Sequence, residues 1–366
     1  LLCFLLSSCE YASTMENPHS DFMIREKILV STPSEFNLAT PSELSLATPT
    51  EKNLSLSSSK LDLATIDVSL KPDESGKIMV LMYHNIGDKE DYYVRTPENF
   101  RKDLDTLYKK GYRPISLKDY VKGRIHTEAG YSPVVITADD GMISNFRYLD
   151  SGEIDPECMV GILLDFQKEH PDFPIHATFF ATGSYPFGQE GMEKQKINFL
   201  LEHGMDLGNH TKGHEDLTHL SGKRLQETIG AQSAFLQSLS PEHYEIDTLA
   251  LPYGSRPQKK ELETYLREGS YGEFLYKNVA ILDVGWDPWY SPFHQDFNPY
   301  GIHRITASEM GVEDVGLYDW IKYFDEHPEE RFISDGNPEI LTIPSSKKDI
   351  IQVPEGMKLY AYEEKE

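Results

Sequence analysis

The sequence predicts an α/β fold in which parallel strands alternate with amphipathic helices. From Lys77 onward, short apolar runs predict buried strands, and the segments between them carry helical periodicity. The clearest apolar runs are 78–82, 134–137, 177–180, 249–251, 279–282 and 302–305. This alternation argues for a parallel barrel or sheet. In such folds the chemistry lies at the carboxyl ends of the strands, so the polar residues that follow each run are the candidate functional groups.

Two helices have clear start signals. Thr96 is a suitable N-cap, Pro97 follows as a first helical residue, and an apolar face continues to Gly111. Ser221 is predicted to start a second helix with regularly spaced apolar residues. Both helices are expected to cover the predicted sheet.

Composition limits the choice of partners. The chain has 366 residues, enough for one large domain or two modest ones, and its 60 acidic against 35 basic side chains leave a net charge of −25. Such a chain would repel the phosphates that supply affinity for nucleic acid, so nucleic acid is not an expected partner. No run reaches the roughly 18 apolar residues of a spanning helix.

The first nine residues resemble the end of a bacterial lipoprotein signal peptide. An apolar run over 1–6 is followed by Ser7, Ser8 and Cys9, and Cys9 would be the lipidated residue. The expected location is therefore the extracellular face of the cell membrane, with a lipid anchor. The alternative is a cut secretory signal in which Cys9 has no special role and the protein is secreted. The remaining cysteines, Cys3 and Cys158, imply no disulfide framework.

Four segments are predicted along the chain. After the signal, residues 10–76 are expected to form a disordered linker, rich in Ser, Thr and Pro, with an octapeptide repeat that starts at Thr32, Thr40 and Thr48. A small β-solenoid is the alternative, but the copies are too few. Residues 77–330 are predicted to form the catalytic domain, and 331–366 a short β extension packed on it.

Two motifs carry the chemistry. The run 134–136 leads into Thr-Ala-Asp-Asp-Gly, so Asp139 and Asp140 lie at the mouth of a strand. About seventy residues later, His210 and His214 are four residues apart, a spacing that shares one face on a helical turn. One carboxylate and two imidazoles make a three-ligand set for a divalent metal with one position open. The second carboxylate is free to act as a base, which predicts a metal-assisted hydrolase.

These motifs are similar to those of a known family. The segment from Lys77 to about Ala307, roughly two thirds of the chain, resembles a polysaccharide deacetylase of the NodB-homology, carbohydrate esterase family 4 type. The family's Thr-Phe-Asp-Asp-Gly matches 137–141 with Ala138 in place of Phe, and its His-Ser/Thr-x-x-His matches at 210–214. The resemblance implies a distorted (β/α) barrel. It also implies a general base at Asp139 and one divalent metal, Zn²⁺ before Co²⁺ or Ni²⁺, held by Asp140, His210 and His214.

Two histidines compete for the role of the acid that protonates the leaving amine. His84 ends the first strand in a Met-Tyr-His segment, which resembles a circularly permuted subset of exopolysaccharide deacetylases whose acid histidine comes early. His303 lies near the place that the unpermuted order would give it, but its surroundings resemble the Leu-Pro-Arg-Ile segment of the permuted subset. We favour His84. A hydrogen-bonded core histidine is the alternative for either residue.

The third motif departs from the family. The usual Arg-x-Pro-Tyr is replaced by a stretch that begins at Ala250 and retains Tyr253, whose backbone N–H is the expected oxyanion donor. Such a donor contributes roughly 3 kcal/mol to catalysis in comparable sites. The absent arginine would have oriented the base, and Arg304, at a strand end, is the candidate replacement.

A loose match to the fourth motif supplies candidate substrate-binding residues. These are Asp283, Trp286 and Trp289. Exposed tryptophan faces beside a hydrolytic site commonly stack on sugar rings, and core packing is the alternative for both tryptophans.

The predicted function is a metal-dependent hydrolase that removes N-acetyl groups from an amino-sugar polymer, peptidoglycan or poly-N-acetylglucosamine, at the cell envelope. The protein is expected to be a monomer whose partners are the polysaccharide and the lipid anchor. An O-acetyl xylan or polysaccharide esterase is one alternative, and a catalytically inactive glycan-binding lipoprotein of the same fold is another. A zinc peptidase is disfavoured because Thr211 stands where such helices carry a glutamate base.

Overall fold

The structure is a computed structural model that describes residues 66–310 and 314–364. The predictions for Cys9, for the octapeptide repeats and for the linker up to residue 65 therefore lie outside the described residues. Within the described ranges, no helix is both long enough and apolar enough to cross a membrane.

The strands match most of the apolar runs of the sequence, with additional short strands between them. Their bounds are β1 Met79–Tyr83, β2 Asn85–Ile86, β3 Val94–Arg95, β4 Tyr112–Pro114, β5 Ser132–Ala138, β6 Thr178–Ala181, β7 Asp206–Asn209, β8 Thr248–Ala250, β9 Glu268–Tyr271, β10 Phe274–Lys277, β11 Ala280–Leu282, β12 Ile305–Thr306, β13 Ile340–Pro344 and β14 Lys358–Tyr362.

Eight of these strands form one parallel sheet that curls into a barrel. The order is β11-β8-β7-β6-β5-β1-β12, and β4 pairs with the first half of β5. Every pairing along this path is parallel. A parallel bridge between Leu282 and Ile302 links the two ends of the path. The predicted α/β fold, a distorted barrel of the NodB type, is confirmed.

Helices fill the long connections that parallel strands require. They are α1 Pro97–Lys109, α2 Leu117–Val121, α3 Met159–Glu169, α4 Glu193–Glu202, α5 Gly222–Leu239, α6 Thr264–Arg267 and α7 Leu317–Glu326. The two predicted helix starts are confirmed: the Thr96 hydroxyl accepts the N–H of Asn99, and the Ser221 hydroxyl accepts the N–H of Arg224.

Side chains of the central strands alternate between two cores. In β5, Val134, Ile136 and Ala138 pack into the core shared with the outer helices, whereas Val135 packs into the barrel interior. Side chains on a strand alternate with period 2. Residues 137 and 139 therefore face the same way as Val135, toward the interior. Asp139 therefore points into the barrel mouth.

The folded unit begins earlier in the chain than the sequence predicts. Residues 66–76 were assigned to the linker, yet Asp73 and Ile333 exchange two backbone hydrogen bonds at 2.9 and 3.0 Å. Glu74 is buried and accepts the backbone N–H of Thr342 at 3.0 Å. The linker prediction is wrong for this stretch, since its backbone bonds are satisfied by the C-terminal segment. That segment pairs β13 with β14 and places Leu341 in the interior core.

Candidate active site

Strand alternation brings four predicted residues to one mouth of the barrel. His84 follows β1, Asp139 follows β5 and His210 follows β7, each at the carboxyl end of its strand. Arg304 directly precedes β12 and has the same parity as Ile302, which packs into the barrel interior. These side chains therefore converge although they are up to 220 positions apart in the chain.

Asp140, His210 and His214 form the one group, among the described residues, with the ligand atoms of a metal site. Their ligand atoms all lie within 4.8 Å of one another. Asp140 Oδ1 is 3.6 Å from Nε2 of His210 and 3.4 Å from Nε2 of His214. Tetrahedral ligands at about 2.0–2.2 Å from a metal lie about 3.3–3.6 Å apart, so the donor set fits a divalent cation.

A backbone carbonyl selects the tautomer of His210. The Nδ1 atom of the buried His210 ring lies 2.9 Å from the carbonyl oxygen of Ala250. A carbonyl can only accept, so Nδ1 carries the proton and the lone pair of Nε2, on the side of Asp140, is available to a cation. The Nδ1 atom of His214 lies 3.1 Å from the Tyr253 hydroxyl, which gives the second imidazole an outer partner as well.

The two histidines lie on a loop, so the helical turn suggested by their spacing is wrong. Residues 210–216 follow β7 without forming a helix, and the φ angles of Thr211 and His214 are +62° and +49°. The buried side chain of Asn209 accepts the N–H of Thr211 at 2.7 Å and holds the first turn of the loop. Asp140 and Tyr253 also have positive φ, at +71° and +57°. Backbone strain of this kind collects at functional sites.

Arg304 takes the place expected of the missing motif arginine. Its two terminal nitrogens donate to the two oxygens of Asp139 at 2.7 and 2.8 Å, and both side chains are buried. The Arg304 Nε atom donates to the backbone carbonyl of Asp283 at 3.0 Å, which fixes the guanidinium plane. Burial alone would raise the pKa of the Asp139 carboxyl, but Arg304 and then His210 hold it well below its usual range.

His84, at the end of the neighbouring strand β1, faces the same carboxylate. Its Nε2 atom lies 3.9 Å from Asp139 Oδ2. Burial lowers the pKa of His84, with Asp139 acting in the other direction. The buried Asn145 amide donates to the backbone carbonyl of His84 at 2.6 Å and accepts the N–H of Met142 at 2.8 Å. Asn145 thus ties the histidine to the loop that follows Asp140.

His303 points away from Asp139. It has the opposite strand parity to Arg304, its Nδ1 atom lies 2.8 Å from Asp287, and its ring packs on Trp289 with centroids 4.3 Å apart. It does not line the cavity over the site. The geometry brings His84, and not His303, to the carboxylate.

The residues of the fourth motif also lie outside this cavity. Arg256 donates to both carboxylate oxygens of Asp283, from Nε and from Nη2, each at 3.0 Å. Trp289 donates to the carbonyl of Asn298 at 3.2 Å, and Trp286 is exposed but does not line the cavity. The structure therefore does not bring the three candidate substrate-binding residues to Asp139.

A cavity of about 370 Å³ opens over the carboxylates and imidazoles. Sequence reasoning missed two polar residues in its wall, Asn85 and Tyr93. Tyr93 lies only nine residues after His84, but no local pattern indicates that the chain turns back there. The full lining is Met82, His84, Asn85, Tyr93, Asp139, Asp140, His210, His214, Leu251, Tyr253 and Val284.

Part of the chain matches known proteins. Residues 128–268, which include both motifs and Tyr253, match the family model for polysaccharide deacetylase. That segment is 141 of the 366 residues, and over it the chain resembles the polysaccharide deacetylases. The Bacillus subtilis protein YxkH, whose name assigns it provisionally to the polysaccharide deacetylases, is 20% identical over 255 residues. That match covers 68% of this chain and 78% of YxkH.

Solved structures share the deacetylase fold at low sequence identity. BC0361, a polysaccharide deacetylase from Bacillus cereus, is 16% identical with a TM-score of 0.50, over 68% of this chain and 69% of that one. IcaB from Ammonifex degensii is 18% identical with a TM-score of 0.47, over 68% and 97% of the two chains. The likeness to BC0361 concerns the fold alone, and the chemistry of this chain has to be argued from its own residues.

Proposed function

We propose that this protein is a metal-dependent hydrolase that removes N-acetyl groups from an amino-sugar polymer at the cell envelope. One observation carries the proposal: the ligand atoms of Asp140, His210 and His214 lie within 4.8 Å of one another, directly beside the buried, ionised carboxylate of Asp139. Hydrolysis of an unactivated amide needs an electrophile and a base in this relation.

The ligand set is expected to hold one divalent cation, Zn²⁺ before Co²⁺ or Ni²⁺. When bound, such an ion supplies a Lewis acid that polarises an acyl carbonyl and makes water more acidic. The donors, one carboxylate and two neutral imidazoles, suit borderline cations of this kind. Asp140, His210 and His214 hold the ion, and the protein's remaining task is to place water and move protons.

Asp139 and His84 divide that task. Asp139, kept ionised and oriented by Arg304, accepts a proton as the water oxygen forms its bond to the carbonyl carbon. His84 donates a proton to the amide nitrogen as the C–N bond breaks, which releases acetate and an amine. Their reactive atoms are 3.9 Å apart, near enough for both to reach one acyl group. The backbone N–H of Tyr253 is proposed to stabilise the oxyanion.

The cavity wall supports an acetyl substrate. Met82, Leu251 and Val284 line it with apolar atoms beside the carboxylates, an environment that suits a methyl group. An acetylated polysaccharide is the substrate class of the family, and we propose peptidoglycan or poly-N-acetylglucosamine. Ester cleavage in an acetylated xylan uses the same groups and is the competing activity.

Acetate release tests the reaction and its substrate. The protein loaded with Zn²⁺ is expected to release acetate from an N-acetylglucosamine oligomer and much less from acetylated xylan. Asp139→Asn should retain metal and lose turnover by several orders of magnitude. Acetate from neither substrate would contradict the proposed activity, and an Asp139→Asn protein near full activity would contradict the role of the base.

The envelope location is a separate part of the proposal and depends on Cys9. We propose that Cys9 carries the lipid that holds the domain outside the cell membrane as a monomer. Fractionation of cells that express the complete precursor tests this. The native protein should sediment with membranes and a Cys9→Ser protein should not; equal distributions would contradict the anchor.

A further inference from the structure

Two exposed tyrosines pack against histidines of the site. The ring of Tyr93 lies with its centroid 4.5 Å from that of His84, and the ring of Tyr253 lies 4.7 Å from that of His214. Tyr93 is 51% exposed and Tyr253 70% exposed, although each has an imidazole against it. Both line the cavity over Asp139 and Asp140. Each ring therefore offers substantial free surface to whatever enters.

The sheet order places the two tyrosines on opposite sides of the carboxylates. Tyr253 follows β8, Tyr93 lies over the end of β1, and Asp139 and Asp140 follow β5. In the sheet, β5 lies between β1 and β8. A ligand above Asp139 thus has one tyrosine on either flank.

The loop that carries Tyr93 connects β2 to β3, which pair in parallel, and it is firmly anchored. Asn85 donates its N–H to the carbonyl of Tyr93 at 3.0 Å, and Gly87 donates to Arg95 at 3.0 Å. The buried guanidinium of Arg95 binds both oxygens of Asp103, at 2.8 and 2.6 Å. A buried arginine bound to a carboxylate at the end of this loop fixes the position of the ring before any ligand arrives.

Neighbouring contacts hold Tyr93 from behind. Tyr92 packs on it edge to face with centroids 4.5 Å apart, and the Ser308 hydroxyl donates to the carbonyl of Asp91 at 2.8 Å. A tyrosine that served only to pack would be expected to bury its ring against the core. Instead, this well-supported loop leaves about half of the Tyr93 side chain exposed at the cavity.

We propose that Tyr93 and Tyr253 form the two aromatic walls of a slot for the hexosamine ring that carries the acetyl group. The C–H faces of a pyranose are apolar and stack on aromatic rings, and the phenol hydroxyls can bond to sugar hydroxyls. This inference rests on the proposed deacetylase function and extends it, since it assigns sugar recognition to the loop between β2 and β3, outside the metal and acid-base groups. Tyr93 is thus a specificity-determining residue.

Binding and turnover of variants test the slot. Tyr93→Ala and Tyr93→Phe are compared with Tyr271→Ala, a control that removes a tyrosine of similar exposure, 47%, from a hairpin that does not line the cavity. Binding of an N-acetylglucosamine pentamer is measured by calorimetry on Zn²⁺-loaded proteins that also carry Asp139→Asn. Tyr93→Ala should weaken binding about tenfold, Tyr93→Phe less, and Tyr271→Ala not measurably.

Turnover of two substrates separates sugar recognition from support of His84. On the otherwise native protein, Tyr93→Ala should lower kcat/KM for the pentamer about tenfold more than for 4-nitrophenyl acetate, which carries an acetyl group without a sugar. Equal losses on both substrates, or unchanged pentamer binding, would overturn the slot. If the native protein binds the pentamer but releases no acetate, the proposed activity is wrong. The effect of Tyr93→Ala on pentamer binding then tests the slot on its own.

Discussion

Arg304 binds both oxygens of Asp139 across an intervening strand. Asp139 follows β5 and Arg304 precedes β12, and β1 lies between these strands in the sheet. A bidentate pair fixes the rotation of the carboxylate as well as its charge. The arginine that the third motif lacks at Ala250 is thus supplied from the other end of the sheet.

Removing this guanidinium should cost both activity and stability. Arg304→Met leaves Asp139 as a buried charge without its main partner, a loss that typically destabilises by roughly 3–5 kcal/mol. We expect kcat/KM to fall about 100-fold, since the base is no longer held in place, and the free energy of unfolding to fall in urea titrations.

Two comparisons make the Arg304 test specific. Arg256→Met removes the arginine of another Arg–Asp pair, with Asp283, and should lower kcat/KM less than tenfold. Asp139→Asn combined with Arg304→Met should be more stable than Arg304→Met alone, because the unpaired charge is gone. If Arg304→Met keeps full activity, the positioning role is wrong.

The acid can be identified by paired alanine substitutions. His84→Ala should reduce kcat on the N-acetylglucosamine oligomer by roughly 10²–10⁴-fold, the range of general acid catalysis. His303→Ala should reduce it less than tenfold, since that ring is engaged with Asp287 and Trp289. Steady-state kinetics with both variants decide, and a larger loss in His303→Ala would reverse the assignment.

Metal removal should lower the Tm, because a cation bound by Asp140, His210 and His214 stabilises the native state. A ligand at 100 times its Kd stabilises the native state by about 2.7 kcal/mol, which corresponds to a rise of several degrees in Tm. We expect Zn²⁺ to restore the Tm of chelator-treated protein and of Asp139→Asn. Asp140→Ala should show no such rise in differential scanning fluorimetry. A Zn²⁺-dependent rise in Asp140→Ala equal to that of the native protein would exclude Asp140 as a ligand.

A buried lysine predicts a pH dependence of stability. Lys196 of α4 is fully buried and donates to the carbonyls of Phe146 and Phe187, both at 2.8 Å, and so ties together two loops beside the site. Burial lowers the pKa of Lys196 from 10.5 to about 8. The neutral amine keeps two N–H donors, enough for both carbonyls.

Between pH 8 and 10.5 the unfolded chain therefore binds more protons at Lys196 than the folded chain. The free energy of unfolding should rise with pH across this interval, by about 3 kcal/mol relative to Lys196→Met, since one pKa unit is about 1.4 kcal/mol. Urea titrations of both proteins measure the difference. Parallel stability curves from pH 7 to 11 would show that Lys196 does not titrate in this way.

Much of the barrel could be predicted because buried strands leave a local signal. β1 and β5 are buried throughout and mostly apolar, and Asp139 follows β5 at the position that the alternation of its side chains requires. β7, the strand that delivers His210, was missed because its sequence Asp-Leu-Gly-Asn has one large apolar residue. Without that strand, the spacing of His210 and His214 suggested a helical turn where the chain forms a loop.

Contacts between distant parts of the chain left weaker signals. Arg304 could be suggested from its place at a strand end, but its pairing with Asp139 depends on which strand closes the barrel. Tyr93 could not be found, because its position over His84 depends on a loop anchored by Arg95 and Asp103, residues with no sequence pattern of their own. In a site assembled from several strand ends, the single residues are therefore easier to predict from sequence than the contacts between them.

The late position of Arg304 in the chain affects when the site can form during synthesis. His84, Asp139 and His210 emerge from the ribosome well before Arg304, yet Asp139 has its counter-charge only after β12 has docked against β1. A nascent chain that ends before residue 304 would bury an uncompensated carboxylate or keep the barrel open. The hydrolytic centre is therefore expected to become competent late, when nearly the whole domain has been made.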